Sequence, residues 1–121
     1  MKLKLGLSSL LLICSLNAEQ FDSNINQVQI EQASKNHLEA VDFMLNKAYM
    51  KLINVLDNQA KKDLKTAQRS WLKYRDFNTK VSSSAYRNGS IHGTIHNQAL
   101  IEITNNRTAE LSKMFLSLTT K

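Results

Sequence analysis

Proline is absent from this 121-residue chain and glycine occurs only three times, so the residues that form tight turns are scarce. A sheet-rich fold needs many such turns, whereas long helices need few. Hydrophobic residues make up 42% of the chain, which is enough for one modest core. We therefore predict a single all-α domain, a small antiparallel helical bundle of three to four helices.

The first 18 residues have the pattern of a secretory signal peptide. Lys2 and Lys4 precede an apolar run of about 12 residues, which is shorter than a transmembrane helix requires. The run is followed by an acceptable cleavage site ending at Ala18. We therefore predict a signal peptide over residues 1–18 and a mature domain over residues 19–121, periplasmic or secreted, with no transmembrane segment.

Cysteine occurs once, as Cys14 within the apolar run. Lipidation of Cys14 is an alternative to simple cleavage, but Ile13 is not the small residue that lipoprotein processing needs before the cysteine. Cleavage after Ala18 leaves no cysteine, which excludes disulfides, zinc–cysteine sites and thiol catalysis from the mature chain. Removing Lys2 and Lys4 lowers the formal charge from +6 to about +4. We do not expect nucleic acid to be the partner of an exported chain with this charge.

No proline or glycine interrupts the chain from Ile25 to Leu56. The apolar residues of its second half follow a 3,4 rhythm typical of a helix packed along another helix: Leu38, Val41, Leu45, Ala48, Leu52 and Val55. The first half is less apolar, so the segment is either one long helix or a short helix followed by one from His37 to Leu56. Asp57 is a good N-cap for a second, antiparallel helix whose apolar face meets that of the first.

The second helix has an apolar stripe with the same spacing: Ala60, Leu64, Ala67, Trp71, Tyr74 and Val81. Polar residues project away from this stripe or along its edges: Gln68, Arg69, Lys73, Arg75 and Asp76. Thr94 is a reasonable cap for a last helix, whose stripe is Leu100, Ile103, Arg107, Leu111, Met114 and Leu118. A charge inside such a stripe must be paired or reach water, so we predict that Arg107 pairs with Asp42 or Asp76.

Ser82 to His92 contains the turn residues that the rest of the mature chain lacks. Small residues flank an aromatic and a cation there, so the segment is either a surface connection or an element that presents these side chains to a protein partner. The candidate partner-binding residues are Tyr86, Arg87, Gly89, Ser90 and His92.

His92 and His96 are four residues apart, and His37 could join them in a metal site. No clear third ligand is near, and Gly93 and Thr94 between them argue against a shared helix face, so we predict neither a metal site nor a cofactor. No nucleophile elbow, HExxH motif or phosphate loop occurs, and no catalytic residue is assigned. The chain is predicted not to be an enzyme.

Four blocks of residues occur in order along the chain: Leu45-Asn46-x-x-Tyr49-x-x-Leu52, Leu64-x-x-Ala67-Gln68-Arg69-x-Trp71-Leu72-x-Tyr74-Arg75-Asp76, Gly89-Ser90-Ile91 and Thr104-x-x-Arg107-x-x-x-Leu111. Together they resemble the LprI-type lysozyme-inhibitor domain family of exported bacterial proteins. The resemblance runs from about Val28 to Leu111 and includes Gly89-Ser90-Ile91. We interpret the other matching polar and aromatic residues as a structural motif, with Trp71 and Tyr74 in the core and Arg75, Asp76 and Arg107 in salt bridges; the alternative is an interface patch. The motif comprises Asn46, Tyr49, Gln68, Arg69, Trp71, Tyr74, Arg75, Asp76 and Arg107.

The resemblance implies a small exported helical domain that binds a protein partner, with lysozyme inhibition as the activity attached to the family. Family members usually carry two cysteines, which here correspond to Thr79 and about Ala99. The predicted function is an exported binding protein that blocks the glycosidase cleft of a lysozyme. The alternatives are an envelope assembly protein that pairs through its helices, and attachment to anionic polymers through lysines 61, 62, 65, 73, 113 and 121. The oligomeric state is left open.

Overall fold

The computed structural model of the protein describes the backbone of residues 6–120 and the side chains of residues 26–120. Lys2 and Lys4 lie outside the described residues. Cleavage after Ala18 and lipidation of Cys14 concern a segment whose side chains are not described. These interpretations of the first 18 residues therefore stay predictions.

Residues 6–120 form three long helices and one short turn of helix. Helix α1 is Gly6–Ile53, helix α2 is Asn58–Ser82 and helix α3 is His92–Thr119, with a 3-10 helix at Ser84–Tyr86 between the last two. No strand occurs among residues 6–120. The all-α prediction is confirmed, and of the two forms expected for the first helix the continuous one is observed.

The turn between α1 and α2 begins earlier than expected. Helix α1 ends at Ile53 rather than at Leu56, and Val55 lies in the turn with 46% of its surface exposed. The predicted cap is confirmed, because the Asp57 carboxylate accepts a hydrogen bond from the Ala60 backbone N–H at 2.8 Å. This bond satisfies one of the free N–H groups at the start of α2.

The helices run up, down and up. Gln27 lies near Ser90 and Ala48 shares a cleft with Phe115, so α1 and α3 are parallel, while α2 is antiparallel to both. Leu64 and Trp71 of α2 pack into the cluster that holds the apolar face of α1, as predicted, but α1 packs more extensively on α3 than on α2. The buried Ala48 and Thr104 explain this difference, because small side chains let two helices approach closely.

The core lies toward the end of the bundle that holds the α1–α2 turn. Its buried residues are Leu45, Ala48, Leu52, Leu64 and Leu111. Larger, partly buried side chains pack around them: Tyr49, Ile53, Leu56, Trp71 and Phe115. Four of the six residues in the predicted α1 stripe are fully buried, which confirms that part of the pattern.

The inner face of α2 differs from the predicted stripe. Tyr74 is 58% exposed and Val81 is 72% exposed, and Ala67 is exposed as well. Gln68 and Arg75, predicted to lie outside or at the edges, are partly buried between the helices instead. The predicted face with Ala67 and Tyr74 and the observed face with Gln68 and Arg75 both have helical spacing. The observed face is buried because the neighbouring helices supply polar partners for Gln68 and Arg75.

Helix α3 begins at His92, so Thr94 is not its cap, and the N-cap residue Ile91 makes no side-chain capping bond. Arg107 is 8% exposed, which confirms its place in the inner stripe. Thr79 is 1% exposed and its hydroxyl has no hydrogen-bond partner among the described residues.

Candidate functional site

The connection between α2 and α3 is held in shape by its own backbone. The Arg87 N–H donates to the Ser84 carbonyl at 3.3 Å, the Gly89 N–H to that of Tyr86 at 2.8 Å, and the His92 N–H to that of Gly89 at 3.2 Å. These bonds close successive turns with no left-handed residue. The connection is therefore a compact element with a defined backbone.

All five candidate partner-binding residues lie in this connection or at its junction with α3. Tyr86, Arg87, Gly89 and Ser90 are exposed, whereas His92 is partly buried. The chain order alone brings them together at one end of the bundle. We define this set together with Ile91, which is 41% exposed, as the tip.

Helix α1 supports the tip from the side. The Gln27 side-chain amide donates to the Ser90 carbonyl at 3.4 Å, which ties the connection to the first helix. A Cβ atom at Gly93 would lie 3.3 Å from the Glu31 carboxylate, so glycine allows α3 to start close against α1. The tip therefore rests on a helix that the sequence analysis did not associate with it.

Charge at the tip is positive. Arg87 makes no salt bridge with another residue among those described. His92 and His96 lie one helical turn apart with ring centroids 5.7 Å from each other, so they share a face of α3, contrary to the sequence-based expectation. Burial lowers the pKa of His96, and the nearby His92 and Lys80 lower it further, while Asp76 opposes the shift.

Arg75 joins all three helices near the middle of the bundle. Its Nη1 atom donates to Asp42 of α1 at 3.0 Å and to the Thr104 hydroxyl of α3 at 3.4 Å. The guanidinium lies 5.3 Å from the centre of a Trp71 ring, and its Nε atom is 3.7 Å from the Asp76 carboxylate. The predicted intramolecular salt bridges of Arg75 and Asp76 are confirmed.

Arg107 is paired differently from the prediction. Its Nε atom donates to the Gln68 side-chain oxygen at 3.1 Å, and its Nη1 atom donates to Glu110 on the same helix at 2.9 Å. Asp42 and Asp76, the partners predicted from sequence, lie beside Arg75 instead. A carboxylate one turn along α3 satisfies the buried charge, so no acid from another helix is needed.

A cleft of about 300 Å³ between α1 and α2 is lined by four of the nine residues of the structural motif. It is lined by Asp42, Leu45, Asn46, Tyr49, Gln68, Leu72 and Arg75. Arg69, Tyr74 and Asp76 are exposed and do not line it. The sequence predicted which helices carry the lining residues, but it did not indicate that Asn46, Tyr49, Gln68 and Arg75 surround a common cleft.

A mainly apolar cavity lies at the opposite end of the bundle from the tip. It measures about 430 Å³ and is lined by Leu52, Leu56, Ala60, Asp63, Leu64, Ala67, Arg107, Met114, Ser117 and Leu118. Its few polar groups include Arg107, whose bonds to Gln68 and Glu110 are already made. We find no convergent set of polar groups there that would orient a substrate.

An exposed apolar stripe runs along the outer face of α2. Tyr74, Phe77 and Val81 are 58%, 66% and 72% exposed and follow helical 3,4 spacing. The Lys80 ammonium lies 5.1 Å from the centre of the Phe77 ring. Phe77 was not singled out from the sequence, although its spacing from Tyr74 and Val81 is visible there.

Three comparisons place this geometry among known proteins. Residues 18–111 match the family described as Lysozyme inhibitor LprI. An uncharacterized protein of Rhizobium meliloti (strain 1021) is 29% identical over 128 aligned positions, covering 90% of this chain and 92% of the relative. The crystal structure of a DUF1311 family protein from Pseudomonas putida KT2440 superposes with a TM-score of 0.66 at 18% identity, covering 77% of this chain and 94% of that one. That likeness supports the fold alone.

Proposed function

Because the chain belongs to the Lysozyme inhibitor LprI family, we propose that it is an exported, non-catalytic binding protein that inhibits a lysozyme-type glycosidase. The family match over residues 18–111 is the observation that carries this proposal. Export follows from the predicted signal peptide over residues 1–18. No helix within the described residues is both long enough and apolar enough to cross a membrane.

We propose the tip as the surface that meets the glycosidase. Glycoside hydrolases of the lysozyme type cleave their substrate between two carboxylates at the bottom of a cleft. An inhibitor that meets these acids needs an accessible cation, because a guanidinium pairs with a carboxylate through strong charged hydrogen bonds. Arg87 and the neighbouring Tyr86 supply an exposed cation and an exposed aromatic ring on the connection between α2 and α3.

The net charge of the chain makes association with a basic lysozyme depend on the salt concentration. Without residues 1–18 the formal charge is about +4, and many lysozymes are basic, so the two proteins repel each other at long range. Salt screens exposed charges over about 10 Å at 0.1 M, whereas contacts inside a closed cleft are screened less. Association with a basic lysozyme should therefore be faster at physiological salt than at low salt.

Paired arginine variants test the role of the tip. Arg87→Ala removes the exposed cation of the tip, and Arg69→Ala removes an exposed cation from α2 as the matched control. We expect Arg87→Ala to weaken inhibition by at least about tenfold, the factor that 1.4 kcal/mol of lost binding energy produces. Arg69→Ala should inhibit like the native protein. Equal inhibition by both variants would remove the tip from the mechanism.

The outer stripe of α2 favours the alternative, an envelope assembly protein that pairs through its helices. Exposed aromatic and aliphatic residues on one helix face are typical of helix-pairing surfaces. Sedimentation equilibrium of the native protein and of Phe77→Ser tests this alternative, with Phe43→Ser, which removes an equally exposed ring from α1, as control. A concentration-dependent mass that only Phe77→Ser abolishes would favour assembly, and a constant monomer mass would exclude self-pairing.

A further inference from the structure

We propose that His92 and His96 form a two-histidine chelate for a divalent transition-metal ion such as Ni²⁺, Cu²⁺ or Zn²⁺. The two side chains lie at positions i and i+4 of α3, so they project from the same face of the helix. Imidazole nitrogen is a preferred donor for these ions. Binding at this pair does not depend on lysozyme inhibition.

The separation of the rings suits one shared ion. A metal ion lies about 2.0–2.1 Å from the coordinating nitrogen, which places it roughly 3 Å from the ring centre. An ion can therefore lie between two rings whose centres are up to about 6 Å apart. The observed distance between the ring centroids is 5.7 Å, with the planes inclined by 32°.

Ser83 fixes the form of His96 that a metal ion requires. The Ser83 hydroxyl donates its only hydrogen to the Thr79 carbonyl at 2.9 Å. With this hydrogen directed at Thr79, we assign the 3.2 Å contact between Ser83 and His96 Nδ1 as a hydrogen bond that His96 donates, since a hydroxyl has a single hydrogen. Nδ1 therefore carries the proton and Nε2 keeps its lone pair free for a metal ion. Metal-binding histidines in proteins are commonly oriented by such a bond from the second nitrogen.

The residues around His92 and His96 determine how tightly the pair is expected to bind a metal ion. The nearby Lys80 opposes a bound cation, although Asp76 partly offsets its charge. No group of three histidine, cysteine or carboxylate side chains suitable for a metal ion occurs among the described residues. The remaining positions around the ion are therefore filled by water, and we expect moderate affinity without a structural role.

Calorimetric titration of the untagged full-length protein with NiCl₂ at pH 7.5 tests the site. His92→Ala and His96→Gln each remove one donor, and His37→Ala removes the remaining histidine of the chain as a matched control. We expect each variant of the pair to weaken Ni²⁺ binding at least tenfold, whereas His37→Ala binds like the native protein. Ca²⁺ and Mg²⁺, which prefer oxygen donors, should not bind at the pair.

Two outcomes would overturn the proposal. One is native Ni²⁺ affinity in His92→Ala, which assigns binding to other groups such as the amino terminus or Cys14. The other is no Ni²⁺ binding by the native protein below millimolar concentration. The readout for His96→Gln is interpreted only when its helical circular dichroism and melting curve match those of the native protein. His92→Ala supplies the second test, since His92 has no structural partner comparable to the Ser83 bond.

Discussion

Replacing Arg75 with alanine should weaken the bundle, because this side chain links all three helices. The Arg75 side chain is 17% exposed and contacts all three helices through Asp42, Trp71 and Thr104. Alanine removes these contacts together and leaves the Asp42 carboxylate without its cation. The perturbation therefore tests whether polar contacts hold the helices in register.

The structure sets the size of the effect. A hydrogen bond to a charged group contributes about 1.5–3 kcal/mol. The lower end applies to Arg75, because the Asp42 side chain is 43% exposed and water screens the pair. The contact with the Trp71 ring adds about 0.5–1 kcal/mol. We expect Arg75→Ala to lower the free energy of unfolding by about 2–3 kcal/mol.

Urea unfolding followed by helical circular dichroism measures this loss. A double-mutant cycle with Asp42→Asn should give a coupling energy of about 1 kcal/mol, because the two residues share one hydrogen bond. The control Arg69→Ala, an exposed arginine on the same helix, should change stability by less than about 0.5 kcal/mol. A loss below about 0.5 kcal/mol for Arg75→Ala, or a coupling energy near zero, would refute the reasoning.

Three further predictions concern the core, a helix cap and pH. Leu111 is 0% exposed, so Leu111→Ala should lower the free energy of unfolding in urea by about 3 kcal/mol. Leu116, which is 56% exposed on the same helix, provides the control variant Leu116→Ala. Equal losses of stability in the two variants would contradict the observed packing. Asp57→Ala should cost about 1 kcal/mol by removing the N-cap bond of α2, and Asp57→Asn should recover most of it; no loss for alanine would mean the cap is unimportant. The folded state lowers the pKa of His96 below its usual 6.5, so the unfolded chain binds a proton more readily; stability should be complete above pH 6.5 and fall as the pH drops below it. His96→Gln should flatten this acid-side decline, and an unchanged pH profile would contradict the assignment.

The first helix could be predicted well from the sequence. Leu38, Val41, Leu45, Ala48 and Leu52 form an apolar stripe with few competing patterns, and four of them are fully buried. The role of Asp57 as the N-cap of α2 could be predicted equally well, because capping depends on local backbone geometry and a single side chain. Features determined within a few turns of one helix are the ones that sequence patterns predict.

The inner face of α2 could not be predicted in the same way. Leu64 and Trp71 are compatible with two helical faces, one that continues to Tyr74 and one that continues to Arg75. Hydrophobicity favours Tyr74, but the observed face contains Arg75 because Asp42 and Thr104 on other helices satisfy its charge. The choice depends on tertiary partners that a single-helix pattern does not contain.

The pairing of Arg107 shows the same limit. The sequence indicated a buried cation in α3, which the structure confirms, but not which acid would meet it. Glu110 was overlooked because it lies outside the apolar stripe, although it is three residues away on the same helix. The residues of the tip, in contrast, are adjacent in the chain, so sequence alone brought them together.

The measurement that tests the proposed function most directly is a titration of the purified protein into lysozymes of several classes while cell-wall lysis is followed. It should be carried out at low and at physiological salt. The account predicts saturable inhibition of at least one class at a near-equal molar ratio. No inhibition of any class by folded protein in molar excess, at either salt concentration, would contradict it.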